Sequence, residues 1–184
     1  MDVVVALLRG VNVGGAARLP MAELRAAVEA CGYVDVSTYV QSGNVVLRVP
    51  DGHPTLGDGD AVAEAIRRSV AASTALQPEV VVRNLEELRD VVSGNPFLDR
   101  STDPTHHHVV FLAEEASLGG VDPSEYAPED AVAVGREVYL YLPGGIGRSK
   151  LAATLSRGAT ATGTARNWRT VTRLLSMAEE LASG

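Results

Sequence analysis

The stretch Pro20–Val46, PMAELRAAVEACGYVDVSTYVQSGNVV, decides the predicted fold because it contains a helix signal followed by a hairpin signal. Pro20 suits a first helical position, and Gly32 suits the end of the helix. Apolar residues recur at helical spacing between them: Met21, Leu24, Val28 and Cys31. Residues 36–40 and 44–49 have the composition of two strands around a turn with Gly43. The stretch therefore predicts a helix followed by a β-hairpin.

The flanking segments complete a pattern of four strands and two helices. The short apolar run Val3–Leu8 is rich in β-branched residues and predicts a buried strand before the helix. After the hairpin, Val62, Ile66 and Val70 mark a second helix, and residues 79–83 predict a fourth strand. The order β-α-β-β-α-β is that of the ferredoxin-like split βαβ motif. We therefore expect residues 1–83 to form an antiparallel ferredoxin-like half.

Residues 84–184 have a similar content and predict a second α+β half. Asn84 and Glu87 form a capping box at the start of a helix. The segments that follow are a strand over 108–113, a hairpin over 131–134 and 137–142, a short helix over 149–155 and a long helix over 165–181. The predicted fold class is α+β, with two ferredoxin-like halves, mainly antiparallel sheet and a long C-terminal helix.

The composition favours a cytoplasmic protein that does not enter a membrane. Of the 184 residues 46% are hydrophobic, but no apolar run approaches the roughly 20 residues that span a bilayer. Asp2 stands where a signal peptide would carry a basic residue, and the first apolar segment is interrupted after Leu8. The single cysteine, Cys31, excludes an internal disulfide framework.

The charge is distributed unevenly along the chain. The net charge is −7, which disfavours non-specific nucleic-acid binding if the charge is evenly spread. However, no acidic residue lies between Glu137 and Glu179, and that segment carries six cations, so the rest of the chain sums to −13. This asymmetry favours a local basic site on an otherwise acidic protein.

The segment RGVNVGG, Arg9–Gly15, ends the first predicted strand with a cation, an asparagine and several glycines. Glycine lets the backbone present N–H groups to a ligand, and such groups beside an arginine suit an anion. We therefore predict ligand-binding roles for Arg9, Asn12, Gly14 and Gly15. The alternative is an ordinary strand-to-helix connection in which Arg9 pairs with an acid.

The turn QSGN, Gln41–Asn44, is predicted to lie beside Arg9. The first and third strands of a ferredoxin-like sheet are antiparallel neighbours, so the end of one lies at the start of the other. This adds Ser42 and Asn44 to the predicted ligand-binding residues. The alternative for these residue types is an ordinary turn.

The segment PGGIGRSKL, Pro143–Leu151, is glycine-rich and leads into the short predicted helix. N–H groups at a helix start can hold a phosphate, so we include Ser149 and Lys150 among the ligand-binding residues. The alternative is that Ser149 only caps the helix. The spacing is not that of a Walker A loop.

The segment TARNWRTVTRLL, Thr164–Leu175, predicts a helix with an apolar and a basic face. The predicted core face carries Trp168, Val171, Leu175 and Ala178. The other face carries three arginines without an acid, which suits bidentate contact with phosphate or carboxylate. The predicted ligand-binding residues here are Arg166, Asn167, Arg169 and Arg173.

Five separated motifs resemble one bacterial family, the domain of unknown function DUF1697. They are LLRGVNVGG, the stretch Pro20–Val46 quoted above, NPF, RSKL and TARNWRTVTRLL, and they extend the resemblance from residue 4 to about residue 175. The resemblance implies a fold of two related ferredoxin-like halves, and it implies no activity.

The predicted function is the binding of a phosphorylated or otherwise anionic ligand, a nucleotide or nucleic acid, in a cleft lined by Gly, Arg and Asn. Two alternatives remain open. One is an enzyme acting on a phosphorylated or carboxylated small molecule, although the motifs contain no ordinary general base. The other is a protein-interaction module with a basic face. No cofactor is predicted, and the consecutive histidines 106–108 are not expected to form a metal site.

Overall fold

The computed structural model describes residues 1–12 and 18–184. In this part of the chain, two four-stranded antiparallel sheets and five α-helices give a mixed α+β fold, which confirms the predicted α+β class and its mainly antiparallel sheet. The chain divides into two compact units. Unit 1 comprises Met1–Arg89 together with Leu174–Gly184, and unit 2 comprises Asp90–Arg173.

Unit 1 contains the first sheet, whose strand order is β2-β3-β1-β4. Its elements are β1 (Asp2–Leu8), α1 (Met21–Glu29), β2 (Val34–Tyr39), β3 (Asn44–Val49), α2 (Gly59–Ser73) and β4 (Val80–Asn84). The pairs β1–β3, β1–β4 and β2–β3 are all antiparallel. The strands and helices of the predicted β-α-β-β-α-β order are therefore all present.

The apolar spacing of the sequence explains why these elements pack together. β1 is buried along nearly its whole length, and α2 buries Val62, Ile66 and Val70 at the predicted helical spacing. The Asp58 side chain accepts a hydrogen bond from the Ala61 N–H at 2.9 Å and so caps α2. One aliphatic core results, formed by the β1 and β3 side chains together with α1 and α2.

Unit 2 contains the second sheet, whose strand order is β6-β7-β5-β8. Its strands are β5 (His107–Phe111), β6 (Asp130–Val134), β7 (Glu137–Tyr141) and β8 (Thr164–Asn167), and α4 (Lys150–Arg157) precedes β8. Two further helices, α3 (Leu85–Ser93) and α5 (Trp168–Ser183), each contain one of the points at which the chain passes between units. The predicted capping box of α3 is confirmed by reciprocal hydrogen bonds between Asn84 and Glu87.

The predicted start of the long C-terminal helix is wrong. Residues 164–167 form strand β8, and α5 begins only at Trp168. Arg166 is therefore a buried strand residue, so the predicted stripe of three arginines on one helix face does not exist. On α5 itself Trp168, Val171 and Ala178 are buried as predicted, but Leu174 takes the place of Leu175 in the core.

The described residues contain no helix with the length and hydrophobicity needed to span a bilayer.

Candidate functional site

Three segments of unit 1 meet at the end of the sheet where β1 stops. Leu7 lies opposite Asn44 in the β1–β3 register, and the Leu8 N–H donates to the Gly43 carbonyl at 2.8 Å. The Arg9 N–H donates to the Glu79 carbonyl at 2.9 Å. The predicted proximity of the end of β1 and the start of β3 is therefore confirmed. The structure also places Glu79, the residue before β4, beside Arg9.

Asn12 holds two of these segments together. Its backbone is left-handed, with φ 56°, a conformation that asparagine tolerates better than most residues. Its Nδ2 donates to the carbonyls of Leu19 (2.8 Å) and Gln41 (2.9 Å), and its Oδ1 accepts from the Leu19 N–H at 2.8 Å. Both ends of the amide are thus engaged within the chain, so the Asn12 side chain links Leu19 to Gln41.

The turn between β2 and β3 is fixed by its own side chains. Asn44 is fully buried, and its Nδ2 donates to the Tyr39 carbonyl and the Ser42 Oγ, both at 3.0 Å. Gly43 has φ 75°, and a Cβ there would lie 2.8 Å from the Leu8 Cβ, so no larger residue fits without a shift. Val40 has φ 48° and is half exposed, a strained conformation for a β-branched residue.

Arg9 lines a cavity of about 200 Å³, which we call the Arg9 cavity. Its other lining residues are Gly10, Val11, Leu76, Gln77 and Pro78. The Arg9 side chain is exposed, and in residues 1–12 and 18–184 its guanidinium makes no hydrogen bond or ion pair. Pairing with an acid, the alternative considered for this residue, is not found in the described structure.

Gly10 lines the Arg9 cavity with a backbone at positive φ. Its φ is 71°, and a Cβ placed there would meet no atom of the described residues within 4 Å. A backbone at positive φ with open space beside it allows an anion to approach the peptide N–H groups. The predicted residues Gly14 and Gly15 lie outside the described residues.

At the start of α4 an internal carboxylate occupies the position predicted for a ligand anion. Ser149 caps the helix by accepting from the Ala152 N–H at 2.8 Å, as the alternative interpretation proposed. The Ser149 hydroxyl also donates to the Glu129 Oε2 at 2.9 Å, and the Leu151 N–H donates to the same oxygen at 3.1 Å. A ligand anion at this position would have to displace the Glu129 carboxylate. Lys150, the residue after Ser149, is exposed.

Arg166 and Asn167 lie at the end of β8 and make contacts within unit 2. The Arg166 Nη1 donates to the Thr164 Oγ1 at 2.6 Å and to the Ala165 carbonyl at 2.9 Å. Burial lowers the pKa of Arg166 to about 10. The Asn167 Oδ1 accepts from the Thr170 N–H at 2.9 Å, which caps the start of α5. Arg169 and Arg173 are exposed on α5.

The same Arg-Asn dipeptide ends the last strand of both sheets, a feature that our sequence analysis missed. Arg83 lies opposite Val5 and Arg166 opposite Val109, at equivalent register positions of the two sheets. Both arginines are buried, and each donates from Nη1 to the preceding carbonyl at 2.9 Å. Both asparagines then cap a helix. The signal in the sequence was an Arg-Asn dipeptide before a helix, and the equivalence indicates a structural role in both units.

The ten described candidate residues divide between the units. Unit 1 holds Arg9, Asn12, Ser42 and Asn44, at the end of its sheet where β1 stops and β3 begins. Unit 2 holds Ser149, Lys150, Arg166, Asn167, Arg169 and Arg173. Of these four described candidates of unit 1, Arg9 is the one that is exposed, lines a cavity and carries a charge with no ion-pair partner among the described residues. Across the two described ranges, no three His, Cys, Asp or Glu side chains are grouped so that they could hold a metal ion.

Comparisons with known proteins agree with the sequence resemblance. A family model described as "Protein of unknown function (DUF1697)" matches residues 1–139. The chain is similar in structure to the conserved bacterial protein SP0830 from Streptococcus pneumoniae, with a TM-score of 0.71. The two chains are 20% identical, and the match covers 96% of this chain and 98% of the other. At this identity the likeness shows a shared fold alone. No curated protein matches the chain.

Proposed function

Because the chain belongs to the DUF1697 family of proteins of unknown function, we propose a function from its own residues: it binds a phosphorylated or otherwise anionic ligand at the Arg9 cavity. The observation that carries this proposal is the exposed Arg9 guanidinium, which has no partner in the described parts of the chain and lies at a cavity. A guanidinium forms charge-assisted, bidentate hydrogen bonds with phosphate and carboxylate groups.

The size of the cavity supports a small anionic group as the part that enters. Its volume of about 200 Å³ is below the roughly 300–1,000 Å³ typical of sites that enclose a whole small molecule. A phosphate or carboxylate group would fit beside Arg9 and Gly10, while the rest of the ligand would remain outside. The hydrogen bonds from Asn12 to the Leu19 and Gln41 carbonyls, and from Asn44 to the Tyr39 carbonyl, would help to hold the segments beside Arg9 in place.

We further assign both units to the ferredoxin-like split βαβ fold. The support is the antiparallel strand order, in which β2-β3-β1-β4 and β6-β7-β5-β8 are the same arrangement shifted by four strands. In unit 1 the two expected helices, α1 and α2, are both present. In unit 2 a short 3₁₀ helix, Pro123–Tyr126, stands between β5 and β6 where unit 1 has α1.

The test is isothermal titration calorimetry of the full chain with each of three ligands in turn: inorganic pyrophosphate, ADP and a single-stranded oligonucleotide. The substitution Arg9→Gln should weaken binding roughly tenfold or more, because it removes a charge-assisted hydrogen bond worth about 1.5–3 kcal/mol. Arg68→Gln is the matched control, since Arg68 is an exposed arginine of unit 1 on α2. Equal affinities for wild type and Arg9→Gln, or an equal loss in the control, would contradict the proposal.

The salt dependence of binding separates the ligand classes. Binding of the oligonucleotide through several phosphates would give a steep fall in affinity with salt, because each neutralised phosphate of a single strand contributes about −0.7 to the log–log slope. A ligand that places one phosphate group in the cavity would give a shallow slope. This measurement decides between a nucleic acid and a small phosphorylated molecule.

A further inference from the structure

The segment that leads into β5 brings a serine, a histidine and an aspartate together in unit 2. The Ser101 Oγ lies 2.9 Å from the His106 Nδ1. The other ring nitrogen of His106, Nε2, lies 3.6 Å from the Asp103 Oδ2. A nucleophile within hydrogen-bond distance of a base, with the base oriented by a third group, is the arrangement used in nucleophilic catalysis.

Asp103 is held so that one of its oxygens faces the imidazole. Its Oδ1 accepts hydrogen bonds from the Thr105 N–H at 2.8 Å and the Thr105 hydroxyl at 2.7 Å. These bonds from Thr105, followed by the charges of His106 and Arg169, lower the pKa of Asp103. An ionised carboxylate beside Nε2 favours a proton on that nitrogen. The Nδ1 lone pair is then the acceptor for the Ser101 hydroxyl.

Ser101 is anchored through its backbone by a neighbouring histidine. The His107 Nε2 is 2.9 Å from the Ser101 carbonyl oxygen, and His107 is buried in β5. The Ser101 Oγ also accepts from the Asp103 N–H at 3.1 Å. His106, by contrast, is partly exposed, with 28% of its side chain accessible, so a small molecule can reach the Ser101–His106 pair.

The geometry points to a hydrolytic site in which Ser101 is the nucleophile, His106 the general base and Asp103 the positioning residue, acting on a small ester. The Ser101 oxygen attacks the carbonyl carbon and its proton passes to the His106 Nδ1. The proton is then delivered to the alkoxide leaving group as the ester bond breaks. A water molecule then gives a proton to His106 and adds to the acyl carbon. The acyl–serine bond breaks, the proton passes from His106 to the Ser101 oxygen, and the acid is released.

This proposal is independent of the Arg9 cavity, which lies in unit 1, and supplies the general base that the sequence motifs lacked.

The test is covalent labelling of the full chain with a fluorophosphonate, with the site mapped by peptide mass spectrometry. Attack by the Ser101 oxygen on phosphorus forms a P–O bond and releases fluoride, while the serine proton passes to His106. One adduct on Ser101 of the wild-type protein is expected, and this result does not depend on the folding of any variant. No adduct, or an adduct on another serine, would overturn the proposal.

Variants then test the roles of the individual residues. Ser101→Ala should abolish labelling, and His106→Ala should slow it about 100-fold or more. Ser93→Ala is the control, since the Ser93 hydroxyl donates to the Asp90 carbonyl and should not affect the rate. Asp103→Asn should slow labelling, and Asp103→Glu, which keeps a carboxylate, should label faster than Asp103→Asn. Labelling of Ser101 at the same rate in His106→Ala would overturn the assignment.

Discussion

Two consecutive buried histidines stand in the central strand of the unit 2 sheet. In the part of the chain that the structure describes, the Nδ1 atoms of His107 and His108 are buried without a hydrogen-bond partner. Burial, and secondly the neighbouring His107, lowers the pKa of His108 to about 4. The folded protein therefore holds His108 neutral, whereas an unfolded chain would protonate it near its ordinary value of 6.5.

The stability of the protein should consequently fall on mild acidification. Above pH 6.5 His108 is neutral in both the folded and the unfolded state, so its contribution to the free energy of unfolding no longer changes with pH. As pH falls from about 6.5 to 4 only the unfolded state takes up the proton, and the free energy of unfolding drops by about 1.4 kcal/mol per pH unit from this residue. Urea denaturation across this range should show a smaller pH slope for His108→Leu than for wild type.

An identical pH slope in the two proteins would contradict this explanation. The comparison is made between slopes, so a general loss of stability in the variant does not affect it. The other titrating groups contribute equally to both proteins.

Helix α4 depends on a carboxylate from another segment. The Glu129 Oε2 accepts from the Ser149 hydroxyl and the Leu151 N–H, at the positive end of the helix dipole. Glu129→Gln should reduce the free energy of unfolding by about 1–2 kcal/mol, because it weakens two hydrogen bonds to a charged acceptor. Guanidinium denaturation measures the effect.

The matched control for this helix is Glu125→Gln. Glu125 is an exposed acid in the 3₁₀ helix that precedes Glu129. Its replacement should change stability by no more than about 0.5 kcal/mol. An equal loss in the two variants would show that the carboxylate has no specific effect at the start of α4.

Elements with a complete local signal were predictable from the sequence. The Asn84–Glu87 capping box contains both its donors and its acceptors within four residues, so it was recognisable and is present. The same holds for the apolar spacing of α2. In each case the physical cause lies inside the element.

Strand β8 could not be predicted, because its cause lies elsewhere in the chain. Its four residues are fixed by pairing with β5, over fifty residues earlier, and they precede a helix without a break. The coincidental helical spacing of Arg166, Arg169 and Arg173 concealed the boundary. Likewise, the Ser149–Glu129 and Ser101–His106 contacts depend on side-chain geometry that spacing does not specify.

At the scale of the whole molecule, unit 1 is discontinuous in sequence. Its last segment, Leu174–Gly184, consists of the C-terminal part of α5 and Gly184. Within unit 1 this segment supplies Glu179, which pairs with Arg89 at 3.0 Å, and the Leu181 carbonyl, which accepts from Arg48. The first 89 residues therefore lack part of their unit until the end of α5 is present.

Deletion of residues 174–184 should therefore loosen the sheet of unit 1 more than that of unit 2. Hydrogen exchange followed by mass spectrometry should show faster exchange in peptides from β1–β4, while peptides from β5–β8 change less. Deletion of Ser183 and Gly184 alone is the control, because both are exposed. Equal acceleration in both sheets, or none, would contradict the expectation.

The discontinuity of unit 1 also sets an order of events during translation. Residues 90–173, which are the whole of unit 2, leave the ribosome before any of residues 174–184. Unit 2 can close its sheet as soon as it has emerged, whereas unit 1 is complete only once its last segment, Leu174–Gly184, has been synthesised. The part of the protein that is made first is thus completed last.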